Sequence, residues 1–232
     1  MSDGPFWLKM DVVFHIKICG MTNVADAIAA ARAGADAVGL NFYKKSPRRI
    51  NEATAKNIAA SLPQGVVRVG LFVNTPAREI CRLYDELPLD LIQLHGDQPP
   101  EFLGQLGGRP VMRAFRLGAG GIGLIREYFD RCRELRAMPQ MILLDALVAG
   151  QFGGTGQTAD WEQARACTAE PDRPPMVLAG GLTPMNVTDA IRLVHPDAVD
   201  VASGVEDDCG HKDCNSIGAF VAAARRGFGF LG

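Results

Sequence analysis

No apolar run in this 232-residue chain approaches the ~20 residues needed to span a bilayer. Charge of one sign is missing too. Net charge is -2, which argues against a mainly electrostatic nucleic-acid binder. Residues 1–11 have no charged start followed by an apolar core, so they do not read as a signal peptide. There is no low-complexity tract and no linker long enough to split the chain. The six cysteines, Cys19, Cys81, Cys132, Cys167, Cys209 and Cys214, form no spaced framework. A chain this long needs none, so free thiols in a reducing cytoplasm are expected. Cys81, Cys132 and Cys167 fall in helix-like segments, where cysteine packs as a small hydrophobe.

What the chain does have is alternation. With 47% hydrophobic residues, it is rich enough in apolar side chains for a substantial core. Strand-like runs begin at 14, 36, 66, 89, 110, 141, 176 and 198, and a helix-like segment follows each one. The helix at 23–33 is alanine-rich and ends at Gly34, a good stop. Others are expected near 52–62, from Pro76, from Pro99 or Pro100, at 122–136, from Asp160, from Thr183-Pro184 and over 215–225. Alternation implies parallel strands with helical crossovers. Eight such units in one chain of this size imply a single-domain (β/α)8 TIM barrel over residues 14–232, preceded by an N-terminal extension at 1–13. A doubly wound open sheet is disfavoured, because only Gly20 follows the first strand and the glycine-rich dinucleotide fingerprint is absent.

In such a barrel, ligands meet the loops at the carboxyl ends of the strands. Those ends carry Cys19; Asn41 with Lys44, Lys45, Arg48 and Arg49 behind it; Asn74; Gln93 and His95; Arg113; Asp145; Gly180-Gly181; and Ser203-Gly204. A thiol and a carboxylate at two strand ends, Cys19 and Asp145, read as an acid–base pair. Glycine turns after the seventh and eighth strands, Gly180-Gly181 and Ser203-Gly204, fit the place where barrels commonly bind phosphate. The basic cluster is either a solvated face or, through an arginine fork, a carboxylate site at the rim. His95 can serve as ligand, base or hydrogen-bonding wall. The loop at 151–158 reads as a lid or as a plain long connection. Cys209, His211 and Cys214 could supply three zinc ligands, but no fourth is evident and the spacing matches no standard finger.

Strand alternation places His15, Lys17 and Cys19 on one face and Phe14, Ile16 and Ile18 on the other. Lys17 should therefore point into the barrel, and so should Asp200 from the eighth strand. Strands one and eight become neighbours on closure. A Lys17–Asp200 ion pair beneath the site is expected, with Lys17 favouring the Cys19 thiolate.

Several stretches carry a likeness to a known family. They are Lys17-Ile18-Cys19-Gly20-Met21-Thr22, Phe42 to Ile50, Val69 to Asn74, Gln93-Leu94-His95-Gly96, Leu144-Asp145, Gly153 to Gly156, Leu178 to Leu182 and Asp200 to Glu206. In this order, over nearly the whole chain after residue 14, the sequence resembles the phosphoribosylanthranilate isomerase family of tryptophan biosynthesis. The resemblance implies an Amadori rearrangement of N-(5-phosphoribosyl)anthranilate to the 1-deoxyribulose 5-phosphate. By the same resemblance Cys19 is the general base and Asp145 the general acid. Arg48 clamps the anthranilate carboxylate, and Gly180, Gly181, Ser203 and Gly204 cradle the phosphate. It implies no metal and no organic cofactor. The expected partner is a small phosphosugar, with neither nucleic acid nor membrane, and a monomer or homodimer as the working unit. Ala179 and Ala202 stand where relatives commonly have serine, and Gln157 where they often have lysine. The competing readings are another phosphosugar aldose–ketose isomerase, such as the related isomerase of histidine biosynthesis, whose reaction is well served by two aspartates and which Cys19 in the first strand disfavours, and a non-catalytic phosphate-ligand sensor on the same barrel.

Overall fold

The computed structural model describes residues 13–117, 121–145, 161–170 and 172–230. The expected extension lies outside these residues except for Val13, and the candidate lid at 151–158 lies outside them entirely. In chain order the elements are β1 (Ile16–Cys19), α1 (Val24–Ala33), β2 (Ala37–Asn41), α2 (Glu52–Ser61), β3 (Val67–Phe72) and α3 (Ala77–Glu86). There follow β4 (Leu91–Leu94), α4 (Glu101–Gly104), β5 (Val111–Arg116), α5 (Gly121–Leu135), β6 (Met141–Asp145) and α6 (Trp161–Thr168). The chain ends with β7 (Met176–Ala179), α7 (Val187–Val194), β8 (Ala198–Val201) and α8 (Cys214–Phe228). The strands close in sequence order, β8 pairing back on β1. All pairings are parallel, and Lys17 stands opposite Asp200 at the closure.

The strands divide their side chains by parity. Ile16, Ile18, Val38, Leu40, Val199 and Val201 join the layer between strands and helices. Ala37, Val69, Leu91, Met112, Met141, Leu143, Val177 and Ala198 fill the barrel. Phe14, expected on the helix side, packs among them while His15 meets Phe228 and Phe230, because β1 begins only at Ile16 and the alternation does not extend to 14 and 15. The interior is therefore a dense apolar plug beneath the carboxyl-end loops. Among the described residues no helix is long and apolar enough to cross a membrane.

Local chemistry sets the helix ends. Asn23 accepts from the Asp26 backbone N–H at 2.9 Å, and Gly34 closes α1 at φ 92. Asn51 and Asp213 cap α2 and α8 in the same way, satisfying backbone donors that the first turn leaves unpaired.

The departures from expectation are also local. The helix expected from Thr183-Pro184 begins at Val187. Thr183 instead forms a closed turn: its N–H donates to Asn186 Oδ1 at 2.7 Å, and Asn186 Nδ2 donates to Gly181 O at 3.0 Å. The segment after β4 yields only one helical turn, bounded by Pro99-Pro100 and by Gly107-Gly108. Leu89, expected to open β4, lies instead in the turn that follows α3, its N–H bonded to Tyr84 O at 3.1 Å. Cys132 and Cys167 are buried and Cys81 half-buried, each on a helix as expected. His195 ends α7 in left-handed backbone at φ 54.

Candidate active site

The carboxyl-end loops enclose one cavity whose lining includes Cys19, Arg48, His95, Asp145, Gly180, Gly181, Ser203 and Gly204. Every residue singled out from sequence as catalytic or substrate-binding thus borders the same space. Lys44, Lys45 and Arg49 are exposed, and Arg48 alone of its basic cluster turns inward.

Cys19 ends β1 and is 6% exposed. Beside it is Gly39 of β2, where a Cβ would lie 2.5 Å from the thiol sulfur. Below it, Lys17 is fully buried, and its Nζ donates to Asp200 Oδ1 at 2.8 Å. The expected ion pair is present. Burial works against the Lys17 charge, but Asp200 and Cys19 outweigh it and hold the ammonium above its ordinary range. The expected effect on Cys19 requires correction. Burial pushes the thiol up; Lys17 pulls it down, and Asp200 pushes it up again. The net direction is upward, because Lys17 shares its charge with Asp200 and cannot offset desolvation of the thiolate alone.

Asp145 ends β6. Its Oδ2 lies 3.7 Å from His95 Nε2. Gln93 reaches His95 from the other side, its Nε2 at 3.1 Å from Nδ1. An amide N–H given to Nδ1 leaves the ring proton on Nε2, facing the Asp145 carboxylate. The ring is thus a polar wall of the cavity beside Asp145.

The phosphate-type turns are tightly joined. Gly180 and Gly181 have φ 90 and 66, in the left-handed region. A Cβ on Gly204 would fall 1.8 Å from Leu182 O, so only glycine lets the two turns meet. Ser203–Val205 winds as a 3₁₀ turn, presenting backbone N–H groups of the kind that hold anions. Gly204→Ala should force these turns apart and raise the Kd for inorganic phosphate about 10- to 100-fold, the loss of about one hydrogen bond to a charged group. Titration by calorimetry would show it, and an unchanged Kd would remove Gly204 from the cradle.

Two strand-end residues do not reach the cavity. Arg113 turns to the helix side, its guanidinium 5.1 Å from the Phe115 ring and 5.5 Å from Tyr128. Its Nη1 donates to Leu94 O and Ala114 O. Asn74 accepts from the Asp97 N–H at 2.8 Å and shapes the loop behind His95. The Cys209–Cys214 stretch is ordered by Asp207, which accepts from the Cys209 and His211 N–H groups at 2.9 and 2.8 Å. Among the described residues no three metal-ligating side chains converge.

Glu206 and Lys212 were not singled out as site residues from sequence. Glu206 accepts from Arg48 Nε and Nη2 at 2.6 and 2.5 Å, and from Lys212 Nζ at 2.5 Å. The only sequence signal is an acid and a lysine flanking a glycine-containing loop. The bridge pairing Glu206 with Lys212 brings them together.

Residues 16–223 match the family model described as N-(5'phosphoribosyl)anthranilate (PRA) isomerase. The N-(5'-phosphoribosyl)anthranilate isomerase of Azotobacter vinelandii is 46% identical, over 90% of this chain and 96% of that protein. The crystal structure of phosphoribosyl anthranilate isomerase from Thermotoga maritima superposes with TM-score 0.78 at 38% identity, over 92% of this chain and 99% of that one. A second such structure, in complex with reduced 1-(o-carboxyphenylamino)-1-deoxyribulose 5-phosphate, gives TM-score 0.75 at 36% identity, over 92% and 99% of the two chains.

Proposed function

Because the chain belongs to the N-(5'-phosphoribosyl)anthranilate isomerase family, we propose that it converts N-(5-phosphoribosyl)anthranilate to the aminoketose by acid–base catalysis between Asp145 and Cys19. The observation that carries this reading is the placement of a buried thiol and a carboxylate, from strand ends β1 and β6, on one cavity floored by two glycine turns. Asp145 gives a proton to the furanose ring oxygen. The C1–O bond breaks and leaves a C1=N iminium. The Cys19 thiolate then removes the C2 proton, and the electron pair moves into a C1–C2 enolamine. C1 takes up a proton as the C2 hydroxyl gives one up, which yields the ketone. The working base is the Cys19 thiolate, and because burial raises the thiol above its ordinary range, the reacting form is the fraction that has lost its proton, which grows as pH rises.

Placement accounts for the rest. The 5-phosphate sits on the turns at Gly180-Gly181 and Ser203-Gly204, and the ring carboxylate meets Arg48. Both ends of the substrate are then fixed, with C1 and C2 held between the two catalytic groups, which converts binding energy into orientation. His95, held by Gln93 and facing Asp145, keeps the acid aimed at the ring oxygen.

The direct test is turnover. Phosphoribosylanthranilate fluorescence is expected to fall when the pure protein is added to fresh substrate. An unchanged signal with folded protein would overturn the assignment.

A further inference from the structure

We infer that Glu206 is a positioning residue: it sets the direction of the Arg48 fork and so governs preference for ligands that carry a carboxylate. This rests on the reading of Arg48 as the carboxylate clamp.

Arg48 lies in the loop between β2 and α2 and lines the cavity. Its backbone is tied by the N–H to Ser46 Oγ at 3.1 Å, and Asn41 Nδ2 holds that hydroxyl at 3.0 Å. Its stem lies against Gly20, where a Cβ would come 2.5 Å from Cδ. These contacts bring the arginine to the rim but do not fix the plane of its guanidinium. Glu206 does. It takes Nε and Nη2 side-on, and a bidentate pair of planar groups fixes orientation as well as distance. The Nη1 end of the fork has no partner among the described residues.

Glu206 is itself held. Its side chain is 5% exposed, as is 2% of Lys212. Lys212 Nζ bonds Glu206 Oε1 and also Ala202 O, at 2.8 Å. Ala202 directly precedes the Ser203-Gly204 turn, so the anchor of the fork is built on the phosphate loop. Burial pushes the Glu206 carboxyl up, but the hydrogen bonds from Arg48 and Lys212 prevail and hold it below the usual carboxylate range. Two cations thus share one anion. The surplus positive charge suits one ligand carboxylate, presented at the free end of the fork. Removing Glu206 would leave Arg48 and Lys212 as uncompensated neighbours and release the guanidinium plane.

The experiment compares two probes, the reduced 1-(o-carboxyphenylamino)-1-deoxyribulose 5-phosphate and its phenylamino counterpart lacking the carboxyl group. The wild type should bind the first more tightly by about 10- to 100-fold, the worth of a charged hydrogen-bonded contact. Glu206→Gln should shrink that ratio to about threefold or less, and kcat/KM for the substrate should fall in step with the affinity lost for the carboxylated probe while the Kd for the probe lacking the carboxyl group stays close to that of the wild type. If the wild type shows no preference, the Arg48 reading fails. If the wild type discriminates and Glu206→Gln discriminates equally, the positioning role is overturned. Should the glutamine variant not fold, Glu206→Asp keeps the charge but shortens the reach by a methylene. It should lose part of the preference, and full retention would equally overturn the inference.

Discussion

Cys19→Ala will lower kcat about 10²- to 10⁴-fold, the range expected for loss of one positioned acid–base group, while the Kd for the reduced product analogue stays within about threefold. Asp145→Ala should match it. The double variant should be little worse than either single one, because groups acting on successive proton transfers of one reaction are not additive. A sensor built on the same barrel would bind as before and have no turnover to lose. The state of Cys19 adds a second expectation. Burial raises its thiol above the ordinary range, and the working base is the thiolate. At neutral pH most resting molecules therefore carry the unreactive thiol. Wild-type kcat/KM should climb with pH through the reference thiol value of about 8.5 and above it. Stopped assays across pH 6–10 with stability controls would show the limb. A profile already flat between about pH 7 and 9 would remove Cys19 as the titrating base.

Why some of this site was legible from sequence and some was not follows from which residues obey a period. Along β1 the alternation of Ile16 and Ile18 with Lys17 and Cys19 sorts helix-facing from barrel-facing side chains, because a strand has a period of two and only one side is apolar. Applied to β8 the same rule turns Asp200 inward, and closure of an eight-stranded ring makes β1 and β8 neighbours. A contact between residues 183 positions apart could therefore be written down before any coordinates. Arg113 shows the same rule from the other side. It stands at a strand end, but one residue from the inward Met112 and Ala114, so the period turns it outward to face α5. Its charge is covered by the rings of Phe115 and Tyr128 rather than by an acid. No period reaches Glu206 and Lys212, which sit in an irregular loop whose fold depends on a bridge that only assembled backbone shows. The balance at Cys19 was beyond sequence for another reason: Lys17, Asp200 and burial act on the thiol in opposing directions, and only their distances decide which prevails.

That balance can be dissected by Lys17→Met, expected to destabilise the protein by about 3–5 kcal/mol, the cost of removing one partner from a buried ion pair. Lys17 is 0% exposed at its side chain and Asp200 10%, so water from the cavity reaches only the edge of the Asp200 carboxylate and replaces little of the missing ammonium. The sign with pH follows from the direction of the Lys17 shift. Its folded value is raised, so its contribution is fully present below the unfolded lysine value of about 10.4 and is lost only as pH rises through the folded one. The deficit of the variant should therefore be constant from about pH 6 to 9 in urea titrations. Activity should fall by a different route. With Lys17 gone, the Asp200 charge is opposed only by the weaker pull of Lys212 and drives the thiol further up, so the rising limb of kcat/KM should move to higher pH than in the wild type. Lys17→Met combined with Asp200→Asn removes the orphaned charge and should recover at least about half of the lost stability, since a pair removed together costs less than a pair broken. It should also return the limb toward its wild-type position, because the pull of Lys17 and the push of Asp200 vanish together. A single variant as stable as the wild type, with a superimposable pH profile, would mean that the pair neither anchors β1 to β8 nor acts on the thiol above it.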